Sequence, residues 1–307
     1  MRALVARRLD GPDAIELIET DVPEPAAGQV RIKVAAAAVN PVDLAVSSGA
    51  LVEFGLTAAR EQFGLGWDVA GHVDAVGTGA ELQVGTPVVG IADLLAQTLK
   101  THAEYVVLDE AAITRAPEGV ELLNAATYGL NGLTALQAVN AVQGESVLIT
   151  GAAGGVGGCA VELAKHLGKT VIASAAAADE ELVRRLGADH FVERTADLAA
   201  AVRRIAPAGV DGVVDAAVVG IGAQEAVRSG GRHVHLQGGP RPPHLRGITV
   251  EQLFVHVNRD ELAELTRLVE TKAISTRVAD AYDLSNAQQA YKRFAEGGVR
   301  GRLVLVP

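Results

Sequence analysis

Five glycines crowd one short stretch of this chain: Gly151, Gly154, Gly155, Gly157 and Gly158. Within it, Ala152-x-Gly154-x-x-Gly157 has the spacing of a turn that receives a phosphate-rich ligand. The chemistry here depends on backbone rather than on side chains. A tight turn needs a residue tolerant of positive φ, which glycine supplies. A second position without Cβ lets the main chain approach a pyrophosphate, and a third lets the following helix pack closely on the preceding strand. Bare N–H groups and the dipole at the helix start then favour an anion. Alanine stands at Ala152, where the usual pattern has its first glycine.

The elements that must position this turn are present on both sides. Val147 to Thr150 is an apolar run of strand length. Val156, Ala160, Leu163 and Leu167 recur at helical spacing, and Gly168 suits a helix C-terminus. Thr170 to Ala173 reads as a second strand. This context predicts a dinucleotide-binding unit, with Ala152, Gly154, Gly155, Val156 and Gly157 at the phosphates. After the second strand, NAD enzymes place an acid on the ribose 2′-OH, but the chain continues Ala173-Ser174-Ala175-Ala176. NAD therefore has no evident partner there.

Metal chemistry has weaker support. A catalytic zinc needs three protein ligands and an open position. The one cysteine, Cys159, sits in the helix after the glycine turn, and the eight histidines form no HxxxH cluster. His233 and His235 would share one face of a strand, which is one ligand short. No metal site is expected, and a lone cysteine excludes an intrachain disulfide framework.

At 307 residues, nearly half of them hydrophobic but only 3% aromatic, the chain can bury substantial aliphatic cores. A net charge of −10 argues against a phosphate-neutralising surface for nucleic acid. Arg2, Arg7, Arg8 and Asp10 interrupt the start, so no secretory leader is read, and no apolar run is long enough to span a bilayer. A cytoplasmic protein without membrane association is expected.

Taken in order, the first part reads as β structure, with short runs at Ala3–Val5, Ala14–Ile18, Val30–Val39, Trp67–Val76, Pro87–Ile91 and Ala103–Leu108 separated by Gly and Pro turns. From Ala125 to Val142 a helix is predicted. Beyond the glycine turn, helices at Glu180–Leu186, Asp197–Ile205 and Ala223–Val227 alternate with strands at Phe191–Val192, Gly212–Asp215 and His233–Leu236. Such alternation predicts a parallel sheet covered by helices. A strand over Ile248–Val257, helices over Glu261–Thr271 and Ser285–Glu296, and a strand over Leu303–Val306 complete the reading.

Several segments together resemble the zinc-free branch of the medium-chain dehydrogenase/reductases, the quinone oxidoreductase or zeta-crystallin-like group. Val39-Asn40-Pro41-Val42-Asp43 with Ser48-Gly49 is similar to its NPxD…SG segment. Gly66-Trp67-Asp68-Val69-Ala70-Gly71 with Val73 and Val76-Gly77 resembles GxDxAGxVxxVG, and Val84-Gly85-Thr86-Pro87-Val88-Val89-Gly90 resembles GDxVxG. Ala103-Glu104-Tyr105-Val106, Gly132-Leu133-Thr134-Ala135, Leu186-Gly187-Ala188-Asp189, Gly247-Ile248-Thr249-Val250 and Gly301-Arg302-Leu303-Val304-Leu305 continue the match in order.

The resemblance implies an α/β plus β architecture: a GroES-like β-barrel catalytic domain with an inserted Rossmann doubly wound parallel-sheet domain. The barrel would comprise residues 1–120 and 258–307, the Rossmann domain 121–257, with the cofactor in the cleft between them. It implies NADPH-dependent, zinc-independent hydride delivery to a quinone or to a carbon–carbon double bond conjugated to a carbonyl, with NADH as the lesser option. A dedicated enoyl reductase and a non-catalytic, crystallin-like NADPH-binding protein are the competing readings. Asn40 becomes a candidate at the nicotinamide ribose and the substrate carbonyl, or else an Asn-Pro turn device. Asp43 is expected to orient that segment. Leu51 stands where many relatives have a tyrosine, and Gly129 and Asn131 where they have proline and alanine. Tyr128 and Asn131 are therefore candidates for polar groups in the cleft, Tyr128 alternatively a packing residue. Thr134, Gly238, Phe254 and Val255 complete the implied cofactor set, and Ser174 with Arg194 is implied to hold the adenosine phosphate. A homodimer is implied through the edge strand at 248–255, because an exposed apolar edge seeks a partner.

Overall fold

From Ser146 onward the alternation of apolar runs and helical stretches folds into a six-stranded sheet. The computed structural model describes every residue except Ala96, Gln237 and Gly238. In chain order the strands are Ser146–Thr150, Thr170–Ala175, His190–Glu193, Val210–Asp215, Val227–His235 and Thr249–Gln252. Across the sheet they stand 3-2-1-4-5-6, and every neighbouring pair is parallel. This is the doubly wound order, which binds its ligand where the sequence of strands reverses, beside the first and fourth. Central strands covered on both faces need apolar residues without alternation. Val147, Leu148, Ile149, Val213 and Val214 are accordingly all fully buried. Leu148, Ile172, Val192, Val213 and Val250, from five of the six strands, pack with Leu198, Val202 and Ala223 of the covering helices.

The remaining β structure gathers around one long strand, Gln29–Ala38. It pairs antiparallel with Asp68–Val76, with Tyr105–Asp109 and with the C-terminal strand Arg302–Val306. Asp68–Val76 pairs in turn with Pro87–Ile91, and that strand with Ile113–Arg115. Arg2–Ala6 lies between Ile15–Glu19 and Phe63–Gly64 in a separate three-stranded sheet. Leu4, Val39, Leu65, Leu284, Tyr291 and Leu305 build one of its cores, and Leu51 is buried among them.

The chain divides into two units: Met1–Leu130 with His256–Glu270 and Thr276–Pro307, and Asn131–Val255 with Thr271–Ser275. The first runs to Leu130 rather than ending at 120. Two bonds tie that extra segment to it: the Leu130 N–H to Asp68, and the Tyr128 hydroxyl to Thr266 at 2.7 Å.

Several elements differ from expectation, among them four beside the site residues. The helix expected over 125–142 is broken into Leu122–Ala125 and Gly129–Ala141. The break lets the main chain approach Asp68 closely: a Cβ on Gly129 would lie 2.7 Å from Asp68 Oδ1. Ala223–Val227 is not one helix, since helix covers Ile221–Gln224 and Val227 already starts a strand. The strand expected over 248–257 is only Thr249–Gln252. Pro41–Ser47, which no expected element covers, is a helix, and its sequence carried the signal: proline at the first helical position and Asp43 placed to accept the Asn40 N–H.

A glycine-built phosphate turn and a buried polar node

In the parallel-sheet unit the glycine turn has the geometry its spacing predicts, shifted by one residue. The left-handed position is Gly151, at φ 61°, and Ala152 is not left-handed. An alanine is therefore accommodated at 152. Gly154 precedes the helix Gly155–His166, and no side chain caps that helix start. The N-cap position thus offers no side chain of its own to the first-turn N–H groups, and a helix start of this kind favours anions. Gly157 shows why the third position has no side chain: a Cβ there would lie 2.2 Å from the Gly151 carbonyl oxygen. Gly154, Gly155 and Val156 are half-buried, whereas Ala152 and Gly157 are buried.

The neighbouring strand ends converge on this turn. The Ala152 N–H donates to the Ser174 carbonyl at 3.1 Å, and the Arg194 N–H donates to the Ala175 carbonyl at 2.8 Å. Backbone pairing therefore brings Ala152, Ser174 and Arg194 together. Ser174 is buried, while Arg194 is exposed and no acceptor among the described residues engages its guanidinium. Thr134 is half-buried on the helix Gly129–Ala141, and Asn131 is buried in its first turn. Phe254, 57% exposed, and the half-buried Val255 follow the last strand. Gly238 lies outside the described residues.

In the β-rich unit the polar residues close on one another. The Asn40 N–H donates to Asp43 Oδ2, and the Gly66 N–H to Asp43 Oδ1, both at 2.8 Å. Asp43 thus orients the segment, as expected. The Asn40 amide donates to the Ala38 carbonyl at 3.1 Å and to Asp68 Oδ2 at 2.7 Å, and its oxygen accepts from Arg302 at 2.6 Å. Arg302 also donates to the Val39 carbonyl at 2.6 Å. Burial pushes the Asp68 carboxyl above its ordinary value, opposed by the Arg302 charge and by the bonds from Asn40 and Leu130. His102 Nε2 donates to the Ala38 carbonyl at 3.1 Å, so its Nδ1 accepts the Tyr291 hydroxyl at 2.8 Å. Burial keeps this imidazole neutral by lowering its pKa.

Two expectations change here. Both amide protons of Asn40 are engaged within the protein, so Asn40 is a structural junction rather than a donor to a substrate carbonyl. Tyr128 is buried, and its hydroxyl is bonded to Thr266. Burial raises its pKa beyond that of an ordinary tyrosine, so it is a packing residue and not a proton source.

One residue with chemistry went unrecognised. Lys100 is only 3% exposed, and its Nζ stands 3.4 Å from the centroid of the Trp67 ring. Burial draws its pKa down to about 7 against the opposing pull of Asp43 and Asp93. An amine with that pKa can hold or release a proton near neutrality. A lysine in the polar run Thr98-Leu99-Lys100-Thr101 reads as solvated, so sequence offered no signal for it.

These residues do not supply a zinc donor set. Trp67 offers no lone pair, Asp68 is held by Asn40 and Leu130, and both ring nitrogens of His102 are engaged.

Comparison with known proteins agrees with this architecture. Residues 26–118 match the alcohol dehydrogenase GroES-like domain, and residues 186–305 match the model described as zinc-binding dehydrogenase. The NADPH-dependent alkenal/one oxidoreductase, chloroplastic, of Arabidopsis thaliana is 30% identical over 100% of this chain and 80% of its own length. The quinone oxidoreductase from Coxiella burnetii superposes with a TM-score of 0.88 at 30% identity, covering 100% of this chain and 99% of that one. A mycobacterial protein in complex with NADPH superposes with a TM-score of 0.85 at 26% identity, with 100% of both chains covered. The GroES-like barrel, the inserted Rossmann sheet and a relative matched from end to end place this chain among the medium-chain dehydrogenase/reductases, as an oxidoreductase of their quinone oxidoreductase group.

Proposed function

We propose that this protein is an NADPH-dependent reductase that works without zinc and delivers hydride to a quinone or to a carbon–carbon double bond conjugated to a carbonyl. The observation that carries the reading is the uncapped helix start behind Gly151, kept free of side chains where a pyrophosphate would lie. When bound, NADPH supplies the hydride. The first-turn N–H groups of Gly155–His166 hold its phosphates. Ser174 and Arg194, joined through adjacent strand ends, take the adenosine end, and a guanidinium there favours the extra phosphate of NADPH. The names of the Arabidopsis relative and of the mycobacterial complex support the choice of NADPH.

Electron-poor acceptors suit a site without a Lewis acid, because the charge they develop needs only hydrogen-bond donors and a proton. Zinc independence is supported by the commitments of Asp68 and His102 and by the position of the lone Cys159 inside the Rossmann helix. Leu51, buried in the apolar core, has no proton to give, which leaves the acceptor pocket unlike one that uses tyrosine. A homodimer through the edge strand Thr249–Gln252 belongs to the same proposal: the strand ends the sheet, and the exposed Phe254 follows it.

The test is oxidation of NADPH by the chelator-treated protein against quinones, enals and enoyl thioesters, followed at the nicotinamide absorbance. Turnover with quinones or enals is expected. Turnover with thioesters alone supports a dedicated enoyl reductase. NADPH binding with silence across the panel would establish a non-catalytic binder.

A further inference from the structure

Asp215, His233 and His235 lie in the parallel-sheet unit, beside the strand end that leads into the phosphate turn. Asp215 ends the fourth strand, and the two histidines close the fifth. The register sets Asp215 directly beside His235, with His233 two residues back on the same face. All three side chains are fully buried. Sequence showed only the histidine pair; the third member comes from a neighbouring strand and becomes visible through the strand register.

The carboxylate is fixed in place. Asp215 Oδ1 accepts the Thr150 hydroxyl at 2.6 Å and the Val219 N–H at 3.0 Å, and Oδ2 accepts the Gly220 N–H at 2.7 Å. These bonds draw the following loop back over the carboxylate and hold Val218 at a φ of 55°. They occupy three of about four lone-pair positions on a carboxylate. The remaining Oδ2 position faces the imidazoles, with His233 Nε2 at 3.4 Å and His235 Nδ1 at 3.8 Å.

Among the described residues neither ring nitrogen makes a hydrogen bond of good geometry, and His233 Nε2 has only its longer approach to Asp215. His235 Nε2 lies 3.2 Å from the Gly239 carbonyl, an acceptor, so Nε2 carries the proton. In the neutral ring Nδ1 is then a bare lone pair turned toward a carboxylate oxygen. A lone pair facing a carboxylate oxygen in a fully buried space is an arrangement that a bound cation satisfies. The arrangement matches a metal ligand and its support: an imidazole whose second nitrogen donates to a backbone carbonyl is the usual way a ligating histidine is oriented. Donors each about 2.1 Å from one ion stand roughly 3 to 3.6 Å apart. The donor atoms of the three residues all lie within 4.8 Å of one another.

We propose that Asp215, His233 and His235 form a buried binding site for one divalent transition-metal ion of the zinc type, bound through Asp215 Oδ2, His233 Nε2 and His235 Nδ1. Two imidazoles and one carboxylate select zinc, cobalt, nickel or copper over magnesium and calcium, which prefer all-oxygen sites. The site ties the ends of the fourth and fifth strands together. It lies beside the glycine turn, through the Thr150 hydroxyl that Asp215 holds, and gives the metal no part in the hydride chemistry proposed above.

The test is isothermal titration of the full, chelator-stripped chain with zinc chloride, repeated with cobalt chloride and magnesium chloride. One zinc per chain is expected, cobalt binding with a visible d–d absorption, and no magnesium binding. His233→Leu and His235→Leu should each weaken zinc at least about 100-fold. His166→Ala and His190→Ala, at exposed positions, should leave it unchanged. Because the buried variants can misfold, the wild-type ring nitrogens are followed by 1H–15N NMR: zinc should shift the signals of His233 and His235 together. Absence of stoichiometric zinc binding, equal binding by the variants, or unshifted rings would overturn the proposal.

Discussion

The two polar centres of this protein are built in opposite ways. At the glycine turn the working groups are backbone N–H groups, approachable because Gly151, Gly154 and Gly157 carry no side chains. In the β-rich unit the polar side chains are abundant but engaged with one another: Asn40 binds Asp68, Ala38 and Arg302, while His102 binds Tyr291 and Ala38. The first arrangement suits an anionic ligand, and the second holds strands from the two ends of the chain. The contrast teaches that a buried polar residue near a family motif is not by itself a catalytic one. What matters is whether its hydrogen-bonding capacity is already used.

If the node is structural, breaking it should cost stability. Arg302→Met removes bonds to Val39 and Asn40 and leaves the buried Asp68 carboxyl without its counter-charge. A loss of about 3–5 kcal/mol is expected from urea unfolding, partly recovered in Arg302→Met/Asp68→Asn. A loss below about 1 kcal/mol would remove the structural reading of the node.

Lys100 is the exception within that unit, and pH separates it from its neighbours. Its folded-state pKa of about 7 lies below the 10.5 of an ordinary lysine because of burial. Between those values the unfolded chain holds a proton that the folded chain lacks, so this group's contribution to stability rises with pH. Lys100→Met removes the effect. The variant should exceed the wild type in urea midpoint near pH 6, and its advantage should shrink toward pH 10 by at most about 1.4 kcal/mol per pH unit. A pH-independent difference would show that Lys100 keeps an ordinary pKa.

The smallest effect belongs to the exposed edge of the phosphate turn. Arg194→Ala should weaken NADPH about 10-fold while leaving NADH nearly unchanged, as read by paired titrations. Equal losses for both cofactors would take Arg194 off the extra phosphate.

The same contrast explains what sequence could reveal. The Rossmann unit was legible because its demands are local: glycine spacing, apolar runs and the strand that follows lie within about thirty residues. The node was not, since its central bond joins Asn40 to Arg302, 262 positions apart. The helix expected over 125–142 missed its break for a related reason, because the close approach of Gly129 to Asp68 is a tertiary requirement. By contrast, the helix after Asn40 was readable from Pro41 and Asp43, and the family segment drew attention to chemistry instead. His233 and His235 were seen as a pair, but only strand pairing adds Asp215.

Whether a side-chain-free turn holds the cofactor is read from NADPH titration of the wild type and Gly157→Ala. A Cβ at this position meets the Gly151 carbonyl oxygen at 2.2 Å, so turn and helix must separate. One NADPH bound per wild-type chain is expected, with an affinity at least about 10-fold weaker in the variant and a stability loss of about 1–3 kcal/mol. Equal NADPH affinity in a folded Gly157→Ala protein would contradict it.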